Sequence, residues 1–439
     1  MIRPAGARRV LAALFALAFA GCATSLISES GVQPAEYQKL VARTVAVRGL
    51  PLREPVPARV IDQAKVPELL RVALEAGLSK DEVSAYQDAL VAVGLWPEGT
   101  DLVDEYLSVA KEEVIGFYVP QDRVLYIVRD APIPFWGRVL SFFARGDAVR
   151  EMVIGHELIH ALQHQNHPDL VEHDRFLKDQ DDLGSALQAT IEGDATFFSL
   201  AVPDPPIPPS DPTEFREDME QDASGRSEGA LAGAPALLRE GLYFPYAWGY
   251  ALSFREHGAL LDDPPVSTEQ VMHPERRHEP FVTLDLGGGR KLLPANCKFV
   301  HENGVGEFGL SVLMRDLAPR DAPPDPTAWE GWNGDRYLVA RCDGHRELLW
   351  LTLWDSEQDA QEFEAAYRNI EWALCARAGY PVPPAITRRG SEVLVVTPGL
   401  ASVANAIVSA ARRGQVSNLR EVLEFYGEPS LEAPGSKAP

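Results

Sequence analysis

Two histidines that stand one helical turn apart place the strongest constraint on how this chain can fold. His156 and His160 enclose three residues, the first of which is Glu157, and apolar residues such as Met152 and Leu162 recur around them at helical spacing. On a helix, positions i and i+4 lie on one face, so both imidazoles can reach one metal ion. The alternative interpretation is a buried helix whose two histidines are merely hydrogen-bonded.

Glu157 completes the pattern H-E-x-x-H, in which two histidines bind zinc and the glutamate is a general base. From its position the carboxylate can reach a zinc-bound water and accept a proton from it. A catalytic zinc site also needs a third protein ligand and an open position for that water. The pattern therefore predicts Zn²⁺ as the cofactor and requires a further ligand elsewhere in the chain.

Three downstream residues can be considered as the third ligand. His164 lies a further turn along the same helix, and three successive turns diverge too far to meet at one ion. His167 does not fit the metzincin spacing, which needs glycine and histidine at the third and sixth positions after the second histidine. Glu192 lies on a separate predicted helix that can pack against the first, so we predict it as the ligand that joins His156 and His160. His164 and His167 are expected at the protein surface, near the end of the helix.

A metal-binding helix followed by a second helix with a ligand glutamate resembles the gluzincins, the thermolysin-like superfamily of zinc peptidases. The likeness extends to a group of poorly characterised secreted or lipoprotein H-E-x-x-H peptidases, and it covers most of the chain after the leader. The segments that carry it are residues 116–118, 156–163, 189–196, 244–249, 264–274, 331–337 and 354–360. The resemblance implies a zincin fold and peptidase activity, but it identifies no substrate.

One position departs from the thermolysin-like pattern. Those enzymes carry an aspartate four residues after the ligand glutamate, where it orients a zinc-bound histidine, and here that position is Thr196. The nearest acid, Asp194, follows Glu192 by two residues and so lies on another face of the helix. Either Asp194 acts through a distorted turn at Gly193, or another acid such as Asp182 orients the histidine.

Peptide hydrolysis also needs a donor for the oxyanion, and zincins often supply a tyrosine or histidine from beyond the metal helices. Tyr246 and His273 are the predicted donors, because both lie in polar and aromatic clusters. The alternatives are that Tyr246 packs in the core and that His273 caps a loop before Pro274. The predicted catalytic residues are therefore Glu157, Tyr246 and His273.

Residues 115–128 contain two β-rich runs on either side of the turn-forming Pro120 and Asp122, which predicts a β-hairpin before the metal-binding helix. In a zincin, the edge strand of such a hairpin offers unpaired backbone groups to an extended peptide. The predicted partner is therefore a peptide or protein substrate.

The first 22 residues have the pattern of a lipoprotein signal. Three arginines precede an apolar run at residues 10–20 that is too short to cross a membrane. The run ends in Gly-Cys, which predicts removal of residues 1–21 and lipidation of Cys22; the alternative is an ordinary signal peptide cleaved near Ala20. The lipid would hold the protein to a membrane in the cell envelope. Ala23 is not an aspartate-type retention signal, which favours the outer membrane, facing the periplasm or the cell surface.

Periodicity divides the rest of the chain into segments. We predict three helices between residues 64 and 110, further helices at 148–165 and 182–200, and short β-like runs from about 281 onward. The predicted segments are a tether and lead-in (22–60), a helical segment (61–112), a metallopeptidase core (113–283), a C-terminal domain (284–427) and a flexible tail (428–439). The predicted fold class is α+β: a mainly helical zincin-like catalytic domain with a β-hairpin or small sheet, and a smaller α+β C-terminal domain.

Charge and cysteine content narrow the classes of protein further. The 439 residues include 64 acidic and 41 basic side chains, and the formal net charge of −23 opposes binding to nucleic acid. Four cysteines are too few for a disulfide scaffold. In an oxidising compartment one pair among Cys297, Cys342 and Cys375 is expected to bridge, with the choice among three pairings left open.

The sequence thus predicts a lipid-anchored zinc metallopeptidase that hydrolyses peptide bonds with a water activated by Glu157. Two alternatives stay open: a non-catalytic surface scaffold or binding lipoprotein on a peptidase-like fold, and a zinc hydrolase that acts on a non-peptide bond. The intact metal-binding set and the intact base argue against the scaffold, since a degenerate enzyme would be expected to lose the base.

Overall fold

Helices form most of this protein, and small β-sheets complete it. The computed structural model describes residues 26–28, 31–77, 79–113, 116–129, 147–172, 179–221 and 229–427. Over these ranges the fold is α+β, as the sequence predicts. The predicted signal segment at 1–21, the predicted lipidation site Cys22 and the predicted tail lie outside the described residues. None of the helices in the described ranges is long and apolar enough to cross a membrane.

The helices of the described ranges follow the periodicity of the sequence. They are α1 (Pro34–Arg48), α2 (Val66–Gly77), α3 (Lys80–Val93), α4 (Leu102–Glu113), α5 (Asp147–Asn166), α6 (Pro168–Val171), α7 (Asp181–Ser199), α8 (Pro212–Gln221), α9 (Ala230–Gly233), α10 (Ala236–Glu256), α11 (Thr268–Met272), α12 (Gly306–Leu317), α13 (Glu357–Ala378), α14 (Ala404–Ser409) and α15 (Leu419–Tyr426). The three helices predicted between 64 and 110 are α2, α3 and α4, and the two predicted next are α5 and α7. Ser79 and Glu82 form a capping box at the start of α3, and Gly94 ends that helix with a φ of 88°.

The strands pair into one small mixed sheet, one larger antiparallel sheet and two short ribbons. They are β1 (Ile27–Ser28), β2 (Gly31–Val32), β3 (Ala58–Asp62), β4 (Gly116–Val119), β5 (Val124–Arg129), β6 (Phe281–Asp285), β7 (Cys297–Asn303), β8 (Trp332–Cys342), β9 (His345–Trp354), β10 (Ala385–Arg389), β11 (Glu392–Val396) and β12 (Arg412–Val416). The predicted hairpin is confirmed, because β4 and β5 pair antiparallel with Tyr118 opposite Leu125. β3 pairs parallel with β5 on the other side, which leaves β4 at an edge of this sheet.

Helix α1 forms within the segment that the sequence assigned to a tether and lead-in. It packs against α5, where Arg43 forms an ion pair with Glu151 at 2.8 Å. The buried face of α1 combines apolar residues such as Leu40 with the polar Thr44 and Arg48. Because the second half of this face is polar, hydrophobic spacing alone does not reveal the helix.

A five-stranded antiparallel sheet dominates the C-terminal part of the chain, in the order β10-β11-β9-β8-β7. Helix α13 packs against β9, β10 and β11, and also against α3 and α12. A disulfide joins Cys297 of β7 to Cys342 of β8, which stand at directly paired positions, and Cys375 is a buried free thiol. Strand pairing thus selects one of the three pairings that the sequence left open.

The largest cluster of buried hydrophobic side chains crosses the predicted domain boundary at residue 283. It joins Trp96, just after α3, to Leu187 of α7, Leu313 of α12, Trp350 of β9 and Phe363 of α13. The division into a catalytic and a C-terminal domain stays a prediction. The packing that supports α7 comes from both sides of that boundary.

Replacing Cys297 and Cys342 by alanine should lower the free energy of unfolding. The disulfide spans 45 residues, and removing a loop constraint of that length costs about 4 kcal/mol. Urea unfolding of both proteins without reductant measures the change, and the unmodified protein in reductant is the control.

In a chain that starts after residue 22, alkylation in denaturant without reductant should label Cys375 alone. Labelling of all three cysteines would contradict the pairing.

Candidate metal centre

Three side chains from two packed helices meet at one point. His156 and His160 project from α5, and Glu192 projects from α7, which packs against it. The Nε2 atoms of the two histidines are 3.0 Å apart. Oε2 of Glu192 lies 3.0 Å from Nε2 of His156 and 3.3 Å from Nε2 of His160. The structure therefore brings together the three residues that the sequence predicts as metal ligands.

The separations of these three atoms suit a metal ion. A tetrahedral zinc with bonds of about 2.0–2.1 Å holds its ligand atoms about 3.3 Å apart. Two imidazole nitrogens and one carboxylate oxygen are also ligand types that zinc accepts, and three protein ligands leave the fourth tetrahedral position for another molecule. His156, His160 and Glu192, here called the metal group, can therefore hold a divalent cation such as zinc.

The charges of the group are balanced within it. Burial lowers the pKa of His156 below its ordinary value, although a hydrogen bond with Glu192 opposes the shift. Burial alone would also lower the pKa of His160, but the carboxylates of Glu192 and Glu157 raise it to about 9. The pKa of Glu192 falls below its ordinary value, because the two imidazoles outweigh the effect of burial. At neutral pH the anionic Glu192 thus faces a neutral His156 and a positively charged His160. A metal cation can take the place of the additional proton on His160.

Glu157 lies beside this group and next to the edge strand β4. Its Oε2 accepts a hydrogen bond from the backbone N–H of Tyr118 at 3.0 Å. Burial raises the pKa of Glu157 to about 7, with His160 opposing the shift and Glu192 adding to it. A carboxyl group with a pKa near neutrality can both accept and release a proton.

Helices α7 and α10 cross in close contact, because two glycines face each other at the crossing. A Cβ at Gly193 of α7 would collide with the backbone of Gly249, and a Cβ at Gly249 of α10 would collide with the carbonyl oxygen of Ala189. The contact leaves no room for a side chain at either glycine position. It sets the distance from α10 to the turn of α7 that carries Glu192.

Tyr246 reaches the metal group from α10 as a result of this crossing. Its ring lies 6.0 Å from the ring of His156, centroid to centroid, with the two planes 27° apart. Burial raises the pKa of Tyr246 well above its ordinary value, and the carboxylates of Glu192 and Glu157 and a hydrogen bond with Glu192 add to the rise. The structure therefore places this predicted residue beside the predicted ligands.

His273 lies in a different cluster. It follows α11, and its Nε2 is 2.8 Å from Oε1 of Glu307 on α12, whose side chain is fully buried. Its Nδ1 lies 3.6 Å from Oε1 of Glu275. These contacts bind His273 to two carboxylates and not to the metal group. Its catalytic role stays a prediction, and Tyr246 is the better placed of the two donors.

His164 is buried, although the sequence places it at the surface. Its Nδ1 is 2.9 Å from the hydroxyl of Tyr118, and its Nε2 is 3.3 Å from Oε1 of Glu172. Its side chain therefore ties α5 to the edge strand, a contact that helical spacing does not predict. His167 is half-buried, and neither histidine belongs to the group of three ligands.

Gln163 contacts His160 on the side away from His156 and Glu192. Its Oε1 lies 2.8 Å from Nδ1 of His160, and its Nε2 donates to Oδ2 of Asp194 at 2.8 Å. Asp194 also accepts a hydrogen bond from Nε of Arg48, at 2.8 Å. Asp194 therefore reaches the histidine through Gln163, within a continuous helix α7, and no distorted turn at Gly193 is involved.

Asp182, the alternative acid for orienting a histidine, has another partner. Its Oδ1 accepts hydrogen bonds from the backbone N–H of Thr268, at 3.0 Å, and from the hydroxyl of Thr268. It holds α11 rather than a ligand of the metal group. The sequence contains a local signal for Gln163, which follows His160 by three residues. It contains none for Arg48, which stands 146 residues before its partner Asp194.

Replacing Gly249 by alanine should destabilise the protein by about 1–3 kcal/mol, because the added methyl group forces α10 away from α7. The matched control is Gly241→Ala on the same helix, where nothing lies within 4 Å of the new methyl group. That control should stabilise the protein by about 0.5–1 kcal/mol. Denaturant unfolding measures both, and equal stability of the two variants would contradict the close crossing.

Residues 297–411 match the family model described as a domain of unknown function, DUF8575. The matched segment contains all five strands of the larger sheet and helices α12, α13 and α14, and it begins 105 residues after Glu192. No curated protein and no solved structure matches the chain.

Proposed function

We propose that this protein is a zinc-dependent metallopeptidase. The observation that carries the proposal is the convergence of two histidines and Glu192 on one point, beside the carboxylate of Glu157. The three ligand atoms fit zinc in distance and in chemical type. Glu157 stands where a general base is needed, one residue after the first ligand.

Zinc at this point would polarise the scissile carbonyl and lower the pKa of a nearby water. Glu157 takes the proton from the attacking water and passes it to the leaving amine. The hydrogen bond from Tyr118 keeps this carboxylate at the edge strand β4. An extended peptide that pairs with β4 would therefore run alongside Glu157.

Tyr246 provides the donor for the oxyanion in this proposal. A tyrosine hydroxyl, with an ordinary pKa of about 10, is protonated at neutral pH and can donate a hydrogen bond. The position of its ring next to His156 supports the assignment.

In the same proposal, the lipid on Cys22 anchors the protein in the cell envelope, facing the periplasm or the cell surface. The disulfide between Cys297 and Cys342 supports a compartment outside the reducing cytosol. The peptide or protein substrate is then one that reaches the envelope.

Replacing Glu157 by glutamine should retain about one zinc per chain and lower kcat/KM for peptide cleavage by about 10²–10⁴-fold, the usual contribution of a general base. Zinc is measured in dialysed protein, and cleavage is measured on casein and on a quenched peptide library. The control is Glu151→Gln, which lies on the same helix and pairs with Arg43.

Each other outcome of that experiment selects another function. Undiminished cleavage by the Glu157→Gln variant would rule out the mechanism. A wild-type protein without zinc would contradict both hydrolase hypotheses and favour the scaffold. A wild-type protein with zinc that cleaves no peptide would favour hydrolysis of a non-peptide bond.

Replacing Tyr246 by phenylalanine should lower kcat by about 10²–10³-fold, the loss expected for one oxyanion donor. Zinc content should not change, because Tyr246 is not among the three ligands. The control is Tyr250→Phe, one turn along α10, whose hydroxyl donates to the carbonyl oxygen of Ser210 at 2.9 Å. If both variants lose activity equally, the effect of Tyr246 is structural.

A further inference from the structure

The side-chain amide of Gln163 forms hydrogen bonds through both its nitrogen and its oxygen. Its Nε2 donates to the carbonyl oxygen of Ile191 at 3.0 Å and to Oδ2 of Asp194 at 2.8 Å. Its Oε1 faces Nδ1 of His160 at 2.8 Å. The side chain is fully buried, so water does not compete for these bonds.

Only one orientation of this amide satisfies its partners. A flipped amide would set its own oxygen against the carbonyl oxygen of Ile191 and the carboxylate oxygen of Asp194. All three oxygens are acceptors, so no hydrogen bond could form. With Oε1 toward His160, the Nδ1 atom of the histidine must be the donor. The lone pair of the neutral ring then lies on Nε2, the nitrogen that faces Glu192 at 3.3 Å.

Asp194 holds the amide, and the ion pair with Arg48 offsets the free-energy cost of burying Asp194. Nε of Arg48 lies 2.8 Å from Oδ2 of Asp194, and the side chains of Arg48 and Asp194 are 7% and 0% exposed. A buried carboxylate without a cation would be strongly destabilised. The guanidinium also lies 4.6 Å from the ring centre of Phe198, which fixes it from a second side.

We propose that Gln163 is a positioning residue that fixes the ring of His160 for metal binding, and that the buried ion pair between Asp194 and Arg48 holds Gln163 in place. The inference rests on the proposed function, since it concerns the same metal. It makes α1 a part of the metal centre. A neutral amide orients the ring here, and the negative charge stands one residue further away, on Asp194.

The first test compares zinc affinity among three variants of the full chain. Gln163→Met keeps the length of the side chain and removes both the acceptor and the donors, so zinc should bind about 10–100-fold more weakly. Arg48→Met should weaken zinc binding in the same direction. Arg43→Met is the matched control, because Arg43 lies on the same helix and its ion pair with Glu151 also joins α1 to α5. Its zinc affinity should equal that of the wild type.

Competition with a chromophoric chelator measures the zinc dissociation constants, and melting of the metal-free proteins reports folding separately. Zinc affinity of folded Gln163→Met equal to that of the wild type would overturn the positioning role and leave the proposed function intact. Equal zinc affinities of Arg48→Met and Arg43→Met would overturn the role of the buried ion pair in holding Gln163. Failure of the wild type itself to bind zinc would instead remove the proposed function.

A double substitution keeps the proposal falsifiable if Gln163→Met does not fold. Gln163→Glu alone sets two carboxylates side by side and should weaken zinc binding. Adding Asp194→Asn removes one of the two facing carboxylates, returns the net charge to that of the wild type, and supplies an amide that can donate to the new carboxylate at position 163. The Ile191 carbonyl faces a carboxylate oxygen in both variants, so their comparison isolates the contact with residue 194. The double variant should bind zinc at least tenfold more tightly than Gln163→Glu alone. Equal affinity of the two would overturn the inference.

Discussion

Helix α7 buries two carboxylates within one turn, and the positions of its neighbours follow from the need to balance both. An ionised carboxylate taken out of water is destabilising by several kcal/mol unless it is paired. Glu192 is balanced by the two histidines of α5, and Asp194 by Arg48 of α1. Gly193, between these two acids, leaves room for the backbone of α10. Three consecutive residues of α7 thus fix three other helices around the metal group.

The small sheet serves the same centre from the other side. Strand β4 has only β5 as a neighbour in the described sheet, so the Tyr118 N–H is available for Glu157. The hydroxyl of the same residue contacts His164, two turns further along α5. Through these two contacts one strand residue aligns the edge of the sheet with the metal-binding helix. This alignment relates the edge strand to the general base in the proposed function.

The larger sheet supports the first turn of α7. Asp335 of β8 accepts hydrogen bonds from two tryptophan indoles and from the backbone N–H groups of Val305 and Gly306, where α12 begins. Gly306 adopts a φ of 70°, and a Cβ there would collide with the carboxylate of Asp182 on α7. The segment that matches the domain of unknown function therefore packs directly on the helix that carries Glu192. This contact gives the C-terminal part of the chain a structural role in holding α7.

The sequence by itself determined the helix that carries His156 and His160 and the hairpin before it, because these depend on spacing within one helix or one turn. It also identified Glu192 and Tyr246, which stand in recognisable segments of their own helices. Only the tertiary structure decided that Gln163 links Asp194 to His160, that Arg48 balances that acid, and that His273 pairs with Glu307. Helical and strand periodicity report which face of an element is buried, but not which distant polar group meets it there. Those contacts depend on how α1, α7, α10 and α12 pack, and the packing combines a shared hydrophobic core with charge balance and glycine contacts between residues far apart in the chain.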